Sequence, residues 1–318
     1  MTNVAVIIVN YRTAGLVVDC LASIAEHAVG TPPRTFVVEN GSPDGSRATL
    51  ALAIDVNGWS PWVTLVPADR NGGFAYGNNV GIRAALSADP GTRYLHLLNP
   101  DTIVRAGSID ELARFLDANP SVGLAGSRLE DPDTTPQRSA FRFPTVAGEL
   151  DAAVRLGPVS RALSPWAIAP PVRHEPHRAD WVAGASLMLR REVLEHVGLL
   201  DDGYFMYYEE VEFCRRAARA GWPCWYVPAS RVVHLIGKAS GVVQGQPTRR
   251  PGYWFDSRRR YFITQHGRAR AALADAAWVV GTPVHRLWSL ARSRPNADPP
   301  RFVRDLVARG ALTRGLTR

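Results

Sequence analysis

Apolar residues in the first 126 positions come in short unbroken runs: VAVIIV (4–9), TFVVEN (35–40), WVTLV (62–66), YLHLL (94–98) and VGLAG (122–126). Between them lie stretches with helical spacing. Leu16, Val17, Cys20, Leu21 and Ile24 share one helical face, and 46–56, 76–87 and 108–117 follow the later runs. Continuous apolar strands alternating with helices predict a mostly parallel open sheet covered on both faces. Right-handed crossovers make it an open α/β sandwich.

The second half is less regular. Prolines and arginines crowd 129–180, which predicts loops around one or two helices. WVAGASLMLR (181–190) reads as a strand, and 204–222 starts aromatic and continues as a helix. PCWYVP and RVVHL read as two further short strands, and HLIGKAS (234–240) as a tight loop with Gly237 and Ser240. A helical stretch over 255–291 is weakened by Gly267 and Gly281, and RSRPNADPP reads as a linker. The final RFVRDLVARGAL puts Phe302, Val303, Leu306 and Val307 on one face, with Arg301, Arg304 and Arg309 around it.

Ligands of open parallel sheets bind at the carboxyl ends of the strands. Here those ends are Asn10-Tyr11, Glu39-Asn40, Asn71-Gly72-Gly73 and Asn99-Pro100-Asp101. Any one polar end is what a loop would show, but four together point to a site. The glycines of NGGFAYGNN (71–79) let backbone approach a ligand. Their spacing is neither the dinucleotide fingerprint nor a P-loop.

Charge changes the picture at one end of the chain. From Gln246 to Arg318 there are 15 Arg or Lys and 4 Asp or Glu, a net of +11, so the first 245 residues carry −3 of the total +8. An acidic partner of the tail is implied, anionic lipid or nucleic acid. With an acidic body and no recognised nucleic-acid motif, nucleic acid is not expected. No apolar run approaches the roughly 20 residues of a membrane span, and the N-terminus lacks a signal peptide's features. Cys20, Cys214 and Cys224 fit no zinc spacing and no disulfide framework, which suggests a reducing cytoplasm.

Candidate chemistry gathers at Glu209, Glu210 and Glu212. Acids at a helix start are favoured by the helix dipole, and Glu212 can pair with Arg216 one turn on. Glu210 follows YFMYY, aromatic and apolar residues that would desolvate it and raise its pKa toward a general base's range. Taken alone, His234 at a strand end is more often structural than a ligand, and Asp101 more often a turn residue. Together they offer one carboxylate and one imidazole, which suits a divalent ion completed by water and substrate phosphates.

In order, the chain contains VIIVNYRT, VVENGSPDGS, NGGFAYGNNVGI, LLNPDTIV, WVAGASLMLRREV, GLLDDGYFMYYEEVEFCRRAARAGW and VVHLIGKAS. This ordered set resembles family 2 inverting glycosyltransferases of the GT-A fold over residues 4 to about 262. Within that family it resembles bacterial rhamnosyltransferases that extend lipid-linked glycans in cell-wall or surface polysaccharide synthesis. The resemblance implies a catalytic body over 1–245, with a nucleotide-sugar half (1–126) and an acceptor half (127–245), and a basic helical extension over 246–318.

The resemblance also implies roles. Asp101 matches the last acid of the metal-binding motif, and His234 the later metal-ligand histidine, for Mg²⁺ or Mn²⁺. Glu210 matches the catalytic base, and Glu39 the acid that contacts the nucleobase. Val9, Asn10, Tyr11, Asn40, Ser42, Asn71, Gly72, Gly73, Phe74, Asn78 and Asn99 fall in the nucleotide-sugar region, and Trp181, Gly184, Ala185 and Glu209 in the acceptor region. Asn99 replaces the first acid of the metal motif, and Glu replaces the usual Asp at positions 39 and 210. The implied donor is a nucleotide-diphosphate sugar, dTDP-L-rhamnose before UDP-linked galactofuranose or N-acetylglucosamine. The implied acceptor is a glycan or polyprenyl-diphosphate-linked sugar. The basic tail, ending in the helix around Phe302 and Leu306, is expected to dock at an anionic membrane surface on the inner face of the cell membrane. A catalytically silent sugar-nucleotide binding module would not need Asp101, Glu210 and His234 together. A sugar nucleotidyltransferase would need a basic glycine-rich loop where NYRTAG stands.

Overall fold

The computed structural model describes residues 3–28, 30–235, 248–293 and 298–315. The tight loop expected around Gly237 and Ser240, and the centre of the linker after Ser293, lie outside the described residues. Two compact units result. The first takes in Met1–Phe141, Pro171–Phe205 and Glu209–Val242, and the second Arg142–Pro170, Met206–Tyr208 and Val243–Arg318. The second therefore draws in two segments that the sequence reading left with the body.

The first unit is built on β1 (Val4–Asn10), β2 (Arg34–Glu39), β3 (Val63–Pro67), β4 (Tyr94–Leu98), β5 (Thr102–Val104) and β6 (Leu124–Glu130). The short β7 (Ala140–Phe141), β8 (His177–Ala179) and β9 (Trp181–Val182) precede β10 (Ser186–Arg190) and β11 (Cys224–His234). Its helices are α1 (Ala14–His27), α2 (Ser46–Val56), α3 (Gly73–Ala88) and α4 (Ser108–Ala118). The second unit holds α5 (Val146–Val154) and α6 (Gly157–Ala162). The first unit resumes with α7 (Arg191–Val197) and α8 (Glu209–Arg219), and the second closes with α9 (Gly252–Ala291) and α10 (Phe302–Arg309).

The main sheet runs β3-β2-β1-β4-β10-β6-β11-β5, with β8 added beside β11. Strands β3, β2, β1 and β4 are parallel, as expected. The unbroken apolar runs reflect burial on both faces: every residue of β1 and β4 is buried. Helix α3 comes close to the sheet because its glycines leave room. A Cβ on Gly81 would lie 2.5 Å from a methyl of Ile7, and one on Gly77 2.6 Å from a methyl of Val9.

Two strands differ from expectation. The run 181–190 is split, and its second part, β10, is antiparallel to both β4 and β6. The expected pair at 223–235 is a single strand, β11, with a bulge between Val227 and Arg231. Pro228, Ala229 and Ser230 interrupt the apolar alternation there without ending the ladder.

In the second unit α9 packs on α5 and α10. It breaks at Gly267, whose φ of +81° is outside the helical region. Arg258 is almost fully buried, 2.8 Å from Glu149 and paired also with Asp275. Asp275 Oδ2 in turn accepts the backbone N–H groups of Ala311 (2.6 Å) and Leu312 (3.2 Å). The apolar face of α10 was expected to meet a membrane. It is instead used inside the protein, where Phe302 and Leu306 are buried against Phe255, Trp254 and Trp278. Among the described residues no helix is long and apolar enough to cross a membrane.

Candidate active site

Strand order reverses direction between β1 and β4, and it is at the carboxyl ends of strands beside such a reversal that open α/β sheets bind ligands. The polar strand ends meet there. Asn10 Oδ1 accepts from Thr13 N (3.2 Å) and Thr13 Oγ1 (3.0 Å), which fixes the start of α1. Ser42 ties the first two ends together: its N–H donates to Glu39 Oε1 at 2.9 Å, and its Oγ accepts from Arg12 N at 3.0 Å and Asn10 Nδ2 at 3.4 Å. Asn40 Nδ2 donates to Asn71 Oδ1 (3.2 Å) and Gly73 O (3.1 Å), bridging to the loop after β3. Tyr11 stands exposed just beyond β1, and Val9 is buried against Gly77.

Gly73 is required by its surroundings. Its φ is +84°, and a Cβ there would fall 1.8 Å from the Phe205 carbonyl oxygen. That carbonyl accepts from Phe74 N at 2.8 Å. Gly72 precedes it as the cap of α3. Asn78 uses its amide within α3, donating to Phe74 O at 2.9 Å.

The end of β4 carries the acidic corner. Asp101 is 3% exposed, and its Oδ1 lies 3.5 Å from His234 Nε2. The strands explain the meeting. β11 runs parallel to β6 toward this edge, and its end pairs with β5, His234 opposite Thr102. Leu235 N donates to Asp101 O at 2.9 Å, and Gln137 Nε2 to His234 O at 2.9 Å. Asn99 Oδ1 is buried and has no hydrogen-bond partner among the described residues. Asp101 and His234 supply an oxygen and a nitrogen donor of the kind a divalent ion takes. Among the described residues no group of three His, Cys, Asp or Glu is placed to hold one.

Residues expected on the acceptor side reach the same edge because β10 runs backwards. Its first residue, Ser186, lies opposite Leu98, the last residue of β4, and Ala185 O accepts from Asn99 N at 3.0 Å. A Cβ on Gly184 would lie 3.4 Å from the Phe74 ring and 3.7 Å from Glu210 Cβ, so these three converge. Trp181 stacks on Phe141 at 4.2 Å between centroids.

Glu209 and Glu210 open α8 after two residues in the left-handed region, Tyr207 (φ +70°) and Tyr208 (φ +69°). Such backbone strain in non-glycine residues costs of order 1–3 kcal/mol each and concentrates at functional sites. Glu209 Oε2 and Glu210 Oε2 are buried without hydrogen-bond partners among the described residues. Burial pushes the Glu210 carboxyl up to about 7. Burial also raises the Glu209 carboxyl well above its ordinary value, and the neighbouring Glu210 charge adds to that. Glu212 is different: both its oxygens accept from Arg216 Nε, at 2.7 and 2.9 Å.

Sequence reasoning missed Gln137, the Phe205 carbonyl and the strained tyrosine pair. None carries a pattern that spacing or composition could reveal. A cavity of about 340 Å³ lies at the other end of the strands, lined by Asn3, Val4, Arg34 and Ser108, away from this constellation.

The sheet and its flanking helices are those of glycosyltransferases of the GT-A fold. The mannosyltransferase PcManGT from Pyrobaculum calidifontis, solved in complex with GDP-Man and Mn²⁺, matches with a TM-score of 0.54 at 16% identity, over 92% of this chain and 79% of that one. The model of glycosyltransferase like family 2 matches residues 2–253, and the chain belongs to that family. An N-acetylglucosaminyl-diphospho-decaprenol L-rhamnosyltransferase of Mycobacterium tuberculosis (strain ATCC 25618 / H37Rv) is 31% identical over 252 residues, 76% of this chain and 79% of the relative. The dTDP-rhamnosyl transferase RfbF of Shigella flexneri is 25% identical over 183 residues, 58% of this chain and 55% of the relative.

Proposed function

We propose that this glycosyltransferase moves L-rhamnose from dTDP-L-rhamnose to a hydroxyl of a polyprenyl-diphosphate-linked sugar, with inversion at the anomeric carbon. The observation that carries the chemistry is the convergence of Glu210, Gly184 and Phe74 beside the edge that holds Asp101 and His234. The names of the mycobacterial and Shigella relatives support the donor and the lipid-linked acceptor.

In this reading the nucleoside lies over the ends of β1 and β2, with Glu39, Ser42, Val9, Asn10 and Tyr11 around the base. Asn40, Asn71, Gly72, Gly73 and Phe74 shape the loop beside the sugar, and Asn99 Oδ1 is a buried acceptor for a ribose or sugar hydroxyl. Asp101 and His234 would hold a divalent ion, whose positive charge would offset the charge on the departing diphosphate. Glu210 takes the proton from the acceptor hydroxyl as that oxygen attacks the anomeric carbon. Attack comes from the face opposite the leaving dTDP, so a single displacement inverts the centre. A base with a pKa near 7 is matched to this task. Glu209, Trp181, Gly184 and Ala185 line the acceptor's approach. On this reading the enzyme works at the inner face of the cell membrane, where a nucleotide-sugar donor meets a lipid-linked acceptor.

A donor panel tests the reading. Purified protein with a polyprenyl-diphosphate-linked acceptor should release nucleoside diphosphate from dTDP-L-rhamnose. Release from UDP-galactofuranose or UDP-N-acetylglucosamine alone would replace rhamnose with that sugar.

A further inference from the structure

The outer face of the second half of α9 is apolar along its length. Leu273, Val280, Val284, Leu287 and Leu290 are all exposed, from 40% for Val284 to 73% for Leu290. At about 100° per residue they form one strip, about 25 Å long at 1.5 Å per residue. The other side of the helix is the one that packs inward. Ala274, Asp275 and Ala277 are buried, and a Cβ on Gly281 would meet Ala153 and Val154 of α5.

The exposed charged residues of the chain beside the strip are arginines. Arg268 and Arg270 flank its start, and Arg286 and Arg292 its end. The one acid of this stretch, Asp275, is buried in its pair with Arg258. Arg286 is shared with Asp298 at 3.0 Å. Arg292 lies 4.7 Å from the Trp288 ring centroid, giving the end of the strip an aromatic and cationic corner.

We propose that this face of α9 docks on an anionic lipid bilayer, with the leucines and valines in the acyl boundary and the arginines among the headgroups. An apolar strip with cationic rims suits a surface that is apolar beneath and negative on top. Tryptophan beside arginine suits the interface between the two. A second copy of the chain laid on the same face would set arginines against arginines. The inference depends on the lipid-linked acceptor only for its purpose, which is to bring the enzyme to a substrate confined to a membrane. It moves the docking surface from α10, whose apolar face is internal, to α9.

The test is co-sedimentation of the full chain with vesicles that contain no acceptor. Phosphatidylglycerol-containing vesicles are compared with pure phosphatidylcholine, at low and high salt. Full-length protein should bind the anionic vesicles alone, and high salt should weaken that binding. The paired substitution Val280→Asp with Leu287→Asp, and separately Arg268→Gln with Arg270→Gln and Arg292→Gln, should each weaken binding at least about tenfold. These exposed changes should leave the melting temperature and turnover of a soluble acceptor analogue unchanged. Absence of binding by the full-length chain, or unchanged binding by both variants, would overturn the proposal. So would variants that dissociate a dimer while vesicle binding persists. An error in the donor or acceptor reading would show in the nucleotide-release panel and leave this assay untouched.

Discussion

Asp101 Oδ1 and His234 Nε2 face each other at 3.5 Å where the end of β11 meets β5. The two side chains come from distant parts of the chain and are brought together by two strands that finish at the same sheet edge. Chelation should abolish turnover, and Mg²⁺ or Mn²⁺ should restore it. Asp101→Ala and His234→Ala should each weaken Mn²⁺-dependent donor binding by at least about tenfold, since even outer partners of metal ligands contribute that much. Titration calorimetry with and without Mn²⁺ measures this, and an Asp101→Ala enzyme fully active in excess chelator would refute it.

Glu210→Gln should fold and bind donor but lose about 10²–10⁴-fold in kcat, the usual contribution of a general base. Glu212→Gln should cost less activity, because Arg216 holds both oxygens of Glu212 in a structural pair. The reverse ranking in steady-state kinetics would assign the base to the wrong acid.

The same carboxyl predicts a pH profile. A base must be ionised, so kcat/KM should rise with pH through about 7, the value to which burial pushes Glu210. Stability runs the other way. The folded pKa is raised from 4.5, so the favourable contribution of the protonated form is intact below about 4.5 and is lost as pH rises through about 7. Glu210→Gln should therefore raise the melting temperature more at pH 8 than at pH 5.

Gly73→Ala should be poorly tolerated. Its φ of +84° disfavours any side chain, and the new Cβ would meet the Phe205 carbonyl. A loss of about 2 kcal/mol or more is expected, together with weaker donor binding. Urea denaturation and donor titration separate the two effects.

Arg258→Met should destabilise the second unit by about 3–5 kcal/mol, because Glu149 and Asp275 would be left buried without their counter-ion. Since Asp275 also anchors the backbone of Ala311 and Leu312, protection of those amides in hydrogen exchange should fall first.

Much of the first unit was legible because β1 and β4 are buried on both faces and therefore read as continuous apolar runs. Polar residues at or just beyond the ends of the parallel strands, Asn10, Glu39 and Asp101, pointed to the candidate site at that edge. The direction of β10 was not legible, since side chains alternate identically in parallel and antiparallel strands. β11 read as two strands because Pro228 to Ser230 hides a bulge. The apolar stripe of α10 was visible, but nothing in its spacing could say that Phe255 and Trp278 would cover it. Gln137 lies in a stretch without periodicity, and its bond to the His234 carbonyl depends on distant pairing.

The reversal of β10 has a consequence for how such an enzyme can change. Four parallel strands deliver their loops to the candidate site's edge as they finish, whereas β10 delivers its loop as it begins. Residues 183–185 thus enter the edge from a connection that shares no turn with β1, β2 or β3. If that connection meets the acceptor and those turns the donor, as proposed, divergence in it would retune one substrate while the turns serving the other keep their sequence. On that proposed reading, the strand's polarity makes the two specificities separately heritable.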